Sequence, residues 1–453
     1  MLEILRHLPE CEVLQHLASL LHDVGGRALL VGGCVRDLLQ GLPNKDLDVE
    51  VYGMDLAEVQ QCLAKEFRLS LVGISFGILK IHGYDIDIAL PRTENKIGAG
   101  HRGFVVMTDP HLSFQEACSR RDFTLNAIML DPLTGEVIDP LGGENDLRQG
   151  MLRHCSPHFA EDPLRVLRAM QFVARFGYAV APETLALCAT LSQEELPPER
   201  LAGEWEKLLL KGKYPSKGLT FLRESGWVRF YPELAALIGC EQNPKWHPEG
   251  DVWNHTLHCL DAAVPLRTGD HDSDLAMNLG VLCHDFGKPL VSTVNENGDI
   301  TSINHAVVGE APTLSFLRRM WNQPKLEETV CALVHWHMDP YSYVKQQAGD
   351  SSYRRLALKV NLELLYKVAC CDTLGRPPYP ADLATLDLFL ERARALAVAD
   401  SRPKPILLGR HLIDKGIAPG PQMGKILHLA FEAQLNGEFT TLEGALQWLD
   451  AMP

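Results

Sequence analysis

The chain has 453 residues, with 43 Lys and Arg against 58 Asp and Glu, a net charge of −15. Hydrophobic residues at 46% and charged residues at 22% are ordinary globular usage and exclude a disordered or collagen-like chain. The acidic balance argues against non-specific coating of nucleic acid and leaves room for a local basic groove. Residues 1–27 predict an amphipathic helix ended by Gly25-Gly26; Glu, Arg and His interrupt its apolar positions, unlike a signal peptide. Residues 28–150 predict a small head with strands at Ala28–Val31, Leu47–Tyr52, Gly77–His82 and Asp85–Leu90 and a helical period over 55–68. Pro91–Pro110 reads as a long mobile loop. From about Pro157 strand patterns vanish, and helical Leu/Ala faces run to the end. Gln242–Gly250, rich in Pro, Trp and His, separates two helical blocks, and Gly375–Pro380 precedes the last helices. The expected class is α+β: a mixed-sheet head, a helical neck over 151–240, a helical block over 245–375 and closing helices over 376–453.

The segment LLVGGCVRDLLQG runs strand, double glycine, helix. Gly32 and Gly33 let the backbone approach a phosphate, the helix start adds partial positive charge, and Arg36 lies one turn in, able to reach triphosphate oxygens. A plain strand-to-helix turn would show the same glycines. Lys45-Asp46-Leu47-Asp48 follows and enters an apolar strand. On a strand, Asp46 and Asp48 point to one side, where two carboxylates repel unless a divalent cation lies between them. Tyr84-Asp85-Ile86-Asp87-Ile88 adds a second acidic strand with one apolar face. A glycine loop beside three such carboxylates is equipment for two-metal nucleotidyl transfer.

These motifs resemble the polymerase-β-like nucleotidyltransferase superfamily, in its tRNA CCA-adding and poly(A) polymerase branch. SRRDFTLNAI at 119–128, DPLGGENDLRQGMLRH at 139–154 and EDPLRVLRAMQF at 161–172 extend the likeness in order over roughly the first 240 residues. The resemblance implies Mg²⁺ held by Asp46 and Asp48, and Asp87 as the third carboxylate, activating the attacking hydroxyl. It implies Gly32, Gly33, Arg36 and Arg121 at the triphosphate, and Asp162, Arg165 and Arg168 at the base. Asp162 and Arg165 fall at i,i+3 on a predicted helix and so share a face. An acceptor beside a donor fork suits the amine and ring nitrogen that cytosine and adenine share, and clashes with guanine and uracil. Relatives often carry a further Arg where this chain has Gln171. Poly(A) polymerases of this branch carry two basic residues where this chain has Ile74 and Ser75, which favours a tRNA substrate. The stretch Arg92–Ser119 resembles the long segment of enzymes that add all of CCA. Lys207, Lys211, Lys213 and Lys217, with Arg148, Arg153 and Arg175, are candidate contacts to RNA phosphate.

Residues 246–372 gather histidines and acids: His255, His284-Asp285, His305, His335, His337 and Asp372. The pattern H…HD…D resembles the HD phosphohydrolase superfamily over about 245–375. The resemblance implies His255, His284, Asp285 and Asp372 as metal ligands, with His305 and either His335 or His337 as second-metal ligands or phosphate contacts. Imidazole and carboxylate together suit Ni, Mn, Fe or Co, or Mg less tightly, and a phosphatase or 2′,3′-cyclic phosphodiesterase reaction.

The twelve cysteines form no C-x-x-C pair, which reads as reduced thiols in a cytoplasmic protein, without a cysteine zinc site. No run of about 18 apolar residues suits a membrane. The expected partners are tRNA, CTP and ATP, in a monomer or a homodimer. Two alternatives stay open: an enzyme adding only A or only CC, and an HD phosphohydrolase whose head merely binds RNA.

Overall fold

The computed structural model describes all residues except 1–4, 6, 7, 9, 45, 73–76, 97–103, 379 and 453. Lys45, Ile74, Ser75 and the middle of the 92–119 stretch lie outside the described residues. The chain forms two compact units: Met1–Leu208 with Lys217–Trp227, and Leu209–Ser216 with Val228–Pro453.

The first unit is built on a mixed sheet of β1 (Arg27–Val31), β2 (Leu47–Tyr52), β3 (Leu69–Val72), β4 (Ile78–Ile81), β5 (Ile86–Ala89), β8 (Met129–Leu130) and β9 (Val137–Ile138). Their order is β3-β4-β5-β2-β1-β8-β9, and the pair β2–β5 is parallel. Apolar alternation sorts β2: Leu47, Val49 and Val51 enter the larger core, leaving Asp48, Glu50 and Tyr52 on the opposite face. That core is completed by α1 (Cys11–His22), α2 (Gly33–Leu39) and α3 (Leu56–Leu63). The helix α3 starts at a reciprocal cap between Asp55 and Glu58. Leu29, Val31, Tyr52 and Met129 join a smaller core on the other face. The strand β1 therefore reads as one apolar run because both its faces are covered.

The expected loop at Pro91–Pro110 is corrected. β6 (Arg92–Lys96) and β7 (Phe104–Thr108) pair antiparallel, with Arg92 opposite Thr108 and Lys96 opposite Phe104. The glycines between them dominate the sequence pattern and hide the β-forming run Phe104–Thr108. Strands also persist beyond the head: Met151–Leu152 pairs with Ala179–Val180, and Thr293–Val294 with Ile300–Thr301. Two-residue ladders leave no alternation to detect. Between Met151–Leu152 and Ala179–Val180 runs α4 (Leu164–Phe176), which packs against the helix Pro198–Glu206.

The second unit is mainly helical. α5 (Val252–Ala263), α6 (His271–Cys283), α7 (Pro324–Trp336) and α8 (Leu362–Leu374) carry its histidines and acids, and α5, α6 and α8 pack pairwise. Asp251, Asp270 and Asn361 cap α5, α6 and α8 through their side chains, which sets where each helix begins. No helix among the described residues is long and apolar enough to cross a membrane.

Candidate active sites

In the first unit the parallel register of β2 and β5 puts Asp48 directly beside Asp87. Asp46 precedes β2 and is exposed. Crowding by protein atoms pushes the Asp48 carboxyl above the usual range; Arg121 opposes the shift, while Asp87, Asp46 and Glu50 add to it. The neighbouring acids thus raise the cost of ionising Asp48, which a divalent cation would relieve. Lys80 Nζ lies 2.9 Å from Asp87 Oδ1.

Gly32 has φ +81°, a conformation that favours glycine, and a Cβ there would stand 3.4 Å from Arg121 Nη1 and 3.5 Å from Asp48 Oδ2. Gly32 therefore lies beside Asp48 and Arg121, and Gly33 beside the Arg36 guanidinium. Arg121 is itself anchored: its Nη2 donates to Glu50 Oε1 at 2.8 Å, beside Arg120 Nη2 at 2.6 Å, and Tyr52 Oη donates to Glu50 Oε2 at 3.1 Å. Glu50 was not singled out in the sequence. Its signal was the continuation of Asp46 and Asp48 along one face of β2.

Arg36 is buried rather than open to the loop. Its Nη1 donates to Asn126 Oδ1 at 2.6 Å, and its guanidinium faces the rings of Phe172 and Phe176 at 5.2 and 5.0 Å. Asn126 Nδ2 donates to Asp122 Oδ1 at 2.9 Å, and Arg168 Nε donates to Asp122 Oδ2 at 2.8 Å. A polar relay, Arg36–Asn126–Asp122–Arg168, thus ties the glycine loop to α4, and the 119–128 motif supplies its middle. Burial disfavours Asp122 ionisation, but Arg168 and Asn126 outweigh it and hold its carboxyl below the usual range.

Asp162 and Arg165 do not share a helix. Asp162 is extended, and α4 begins at Leu164, whose N–H donates to Asp162 Oδ1 at 3.2 Å. The other oxygen, Oδ2, accepts from Arg200 Nη2 at 2.8 Å. Arg165 donates to the carbonyls of His158 and Arg120 at 2.8 and 2.6 Å. The i,i+3 expectation is corrected for this reason: Pro163 keeps Asp162 out of the helix. Among the cationic candidates, Lys207 Nζ donates to Glu204 at 2.7 Å, and Arg153 Nε to Asp146 at 3.1 Å.

In the second unit His255 comes from α5, His284 and Asp285 from the end of α6, and Asp372 from α8. His255 Nε2 lies 3.0 Å from Asp372 Oδ1, 3.3 Å from His284 Nε2 and 3.7 Å from Asp285 Oδ2. His305 Nε2 lies 3.2 Å from His337 Nε2 and 3.5 Å from Asp285 Oδ1. His337, not His335, joins this group; His335 pairs with Glu310 and packs on Trp336.

The tautomers follow from the acceptors. His284, His305 and His337 present Nδ1 to the carbonyls of Val281, Ser302 and Val334 at 2.7, 2.8 and 2.7 Å, so each Nδ1 carries the proton. Burial, then His284 and His305, pushes His337 down to about 3, and burial also lowers His305. Rings that donate through Nδ1 turn their Nε2 atoms inward, where a cation could accept them. Both oxygens of Asp285 are buried without a hydrogen bond, and Lys288 Nζ forms an ion pair with Oδ2 at 2.6 Å. The donor set fits a divalent metal. A cavity of about 250 Å³ opens onto it, lined by Lys288, Arg376, Asn243, His305 and His337. Lysine and arginine beside a metal-fitted cluster can hold an anion such as phosphate. The sequence reading missed Lys288 and Arg376, and also Glu249, whose Oε1 lies 2.8 Å from both His255 Nδ1 and His247 Nδ1; Glu249 and His247 sat in the stretch read as a linker.

A family model described as "Poly A polymerase head domain" matches residues 28–153, and one described as "Probable RNA and SrmB- binding site of polymerase A" matches 177–238. The chain is 42% identical to the multifunctional CCA protein of Xylella fastidiosa over 368 residues, 79% of this chain and 82% of that relative. It is 36% identical to that of Chromobacterium violaceum over 83% of this chain and 86% of the relative. Against the multifunctional CCA protein of Xanthomonas campestris pv. campestris, 42% identical, the match spans 58% of this chain and 63% of the relative. Its fold is similar to that of the Bacillus stearothermophilus CCA-adding enzyme in complex with CTP, with TM-score 0.67, 24% identity and 98% of each chain covered. It is also similar to the Thermotoga maritima CCA-adding enzyme complexed with tRNA, with TM-score 0.61, 20% identity and 99% and 98% covered. The chain belongs to the family of CCA-adding tRNA nucleotidyltransferases.

Proposed function

We propose that the protein builds or repairs the 3′-terminal CCA of tRNA from CTP and ATP without a nucleic-acid template, in the cytoplasm, and that its second unit is a metal-dependent phosphohydrolase. The observation that carries the first part is the register of Asp48 beside Asp87 under the Gly32 turn. Mg²⁺ bound by Asp46 and Asp48 would stabilise charge on the attacking oxygen and on the departing pyrophosphate. Asp87 accepts the proton of the tRNA 3′-hydroxyl. Gly32, Gly33 and Arg121 hold the triphosphate, and Arg36 positions that loop through Asn126. Asp162 and Arg165 read the base from two backbone segments, with Arg200 orienting Asp162 and Arg168 anchored by Asp122.

In the second unit His255, His284, Asp285 and Asp372 hold a divalent metal such as Ni, Mn, Fe or Co, or Mg. Lys288 and Arg376 neutralise the phosphate ester, and His305 and His337 face the same cavity. The metal would supply an activated water. The test is incubation with tRNA ending in the discriminator base, in C or in CC, with labelled CTP and ATP given separately. Two CMP and one AMP incorporated in order support full CCA synthesis. AMP alone, or CMP alone, means a partial enzyme, and no incorporation means a head that only binds RNA.

A further inference from the structure

We propose that the metal centre of the second unit contains a thiolate ligand, Cys259, and is therefore built for a soft or borderline divalent ion, zinc or cobalt, rather than for magnesium. The inference rests on the reading of His255, His284, Asp285 and Asp372 as a metal site. Cys259 lies one turn after His255 on α5, so both side chains leave the same face of that helix. The cysteine is fully buried. Its Sγ stands 3.4 Å from His255 Nε2, and His255, Cys259 and His284 offer three donor atoms within 4.8 Å of one another.

These separations are the edges of a coordination shell. A tetrahedron with metal–nitrogen bonds of about 2.0 Å and a metal–sulfur bond of about 2.3 Å has N···N edges of about 3.3 Å and N···S edges of about 3.5 Å. The chain has His255 Nε2 to His284 Nε2 at 3.3 Å and His255 Nε2 to Cys259 Sγ at 3.4 Å. Asp372 Oδ1 lies 3.0 Å from the same His255 nitrogen and also accepts from Arg376 Nη2 at 2.5 Å. Asp285, 1% exposed, borders the same group, with Oδ2 3.2 Å from His284 Nε2 and 2.6 Å from Lys288 Nζ. Orientation is fixed from behind. Glu249 Oε1 accepts from His255 Nδ1 at 2.8 Å, which keeps the His255 Nε2 lone pair turned toward Cys259 and His284. Thiolate selects against magnesium, which prefers oxygen, and favours zinc or cobalt.

The test is cobalt titration of the full-length, metal-free protein, carried out in the Asp48→Ala background so that the head contributes little binding. Bound Co²⁺ should produce a near-ultraviolet sulfur-to-cobalt charge-transfer band together with visible ligand-field bands. Cys259→Ser and Cys259→Ala should remove the charge-transfer band, keep the ligand-field bands, and weaken Co²⁺ binding by at least about tenfold. Magnesium affinity should not change in either variant. The wild-type spectrum tests the proposal even if both variants unfold. Co²⁺ bound without a charge-transfer band, but lost in Asp285→Ala, would overturn thiolate ligation and leave the metal site standing. A band that survives in a folded Cys259→Ser protein would also overturn it. Failure of any Co²⁺ to bind would instead remove the underlying reading of the second unit.

Discussion

Glu50 is the clearest residue on which stability and substrate binding meet. It is 3% exposed and lies on β2 two residues after Asp48, on the same face. One carboxylate oxygen accepts from both Arg120 and Arg121, and the other from Tyr52. Glu50→Gln keeps the shape and one acceptor but removes the charge that balances two guanidinium groups. Removing one partner of a buried ion pair costs about 3–5 kcal/mol, and the partial exposure of the arginines (18% and 15%) places this case near the lower end, about 3 kcal/mol. For a unit of this size each kcal/mol moves the melting temperature by about 2–4 °C, so the head transition should fall by about 6–12 °C in calorimetry. Arg121 would also lose its anchor next to Gly32, so KM for CTP should rise more than kcat falls. Glu50→Asp, which keeps the charge but shortens the reach, should sit between wild type and Glu50→Gln in both readouts. A Glu50→Gln protein melting within about 2 °C of wild type, with unchanged KM, would refute the anchoring role.

Asp48→Ala should abolish both CMP and AMP addition without loss of fold, because the replacement removes a shared metal ligand and relieves carboxylate repulsion; wild-type rates in a nucleotide-addition assay would contradict the site. Asp285→Ala should eliminate metal-dependent phosphodiesterase or phosphatase activity while nucleotide addition continues, and loss of both from a folded protein would show that one site serves both reactions. Asp162→Asn supplies a donor where the carboxylate only accepts, so it should erode a preference that such sites hold at roughly 10⁴-fold and raise UTP use in competition with CTP; full retention of C and A selectivity would remove Asp162 from base reading. Gly287→Ala would place a Cβ 2.0 Å from the His305 carbonyl oxygen, so His305 must move, and phosphohydrolase activity should fall at least about tenfold with addition unaffected.

What was legible in the sequence was local and periodic. The acids of β2 and β5 were found because a strand repeats every two residues, and Val49, Ile86 and Ile88 mark the buried side. The helices of the second unit were legible from their Leu/Ala faces, while the caps that start them, Asp251, Asp270 and Asn361, were not singled out. The hairpin β6–β7 was lost because the glycines of its stretch outweigh the β-forming run Phe104–Thr108; among the described residues it forms a separate two-stranded sheet. Partners separated by long stretches of chain were also lost. Glu50 meets Arg120 and Arg121 across 70 and 71 residues, and Asp162 meets Arg200 across 38. Nothing in the local pattern of either segment records the other.

Asp162 and Cys259 depart from the pattern of their neighbours for opposite reasons. For Asp162 the spacing rule was applied where it does not hold. Pro163 disfavours helical backbone at the residue before it, so Asp162 stays extended, accepting from Leu164 N–H and Arg200, while Arg165 reaches back to two carbonyls. The proline was visible, and it carries the correction. For Cys259 the spacing rule does hold and went unused. Cysteines were weighed by their distance from one another, where C-x-x-C is the signal, rather than by their distance from histidine. His255 and Cys259 are i and i+4 inside one helix that contains no proline, which alone places them on one face. Adding the buried His284 and Asp285 from the end of the neighbouring helix turns that face into a pocket of converging lone pairs. The same rule that misplaces Asp162 before a proline therefore predicts, inside an unbroken helix, that a thiol and an imidazole will share whatever cation the site binds.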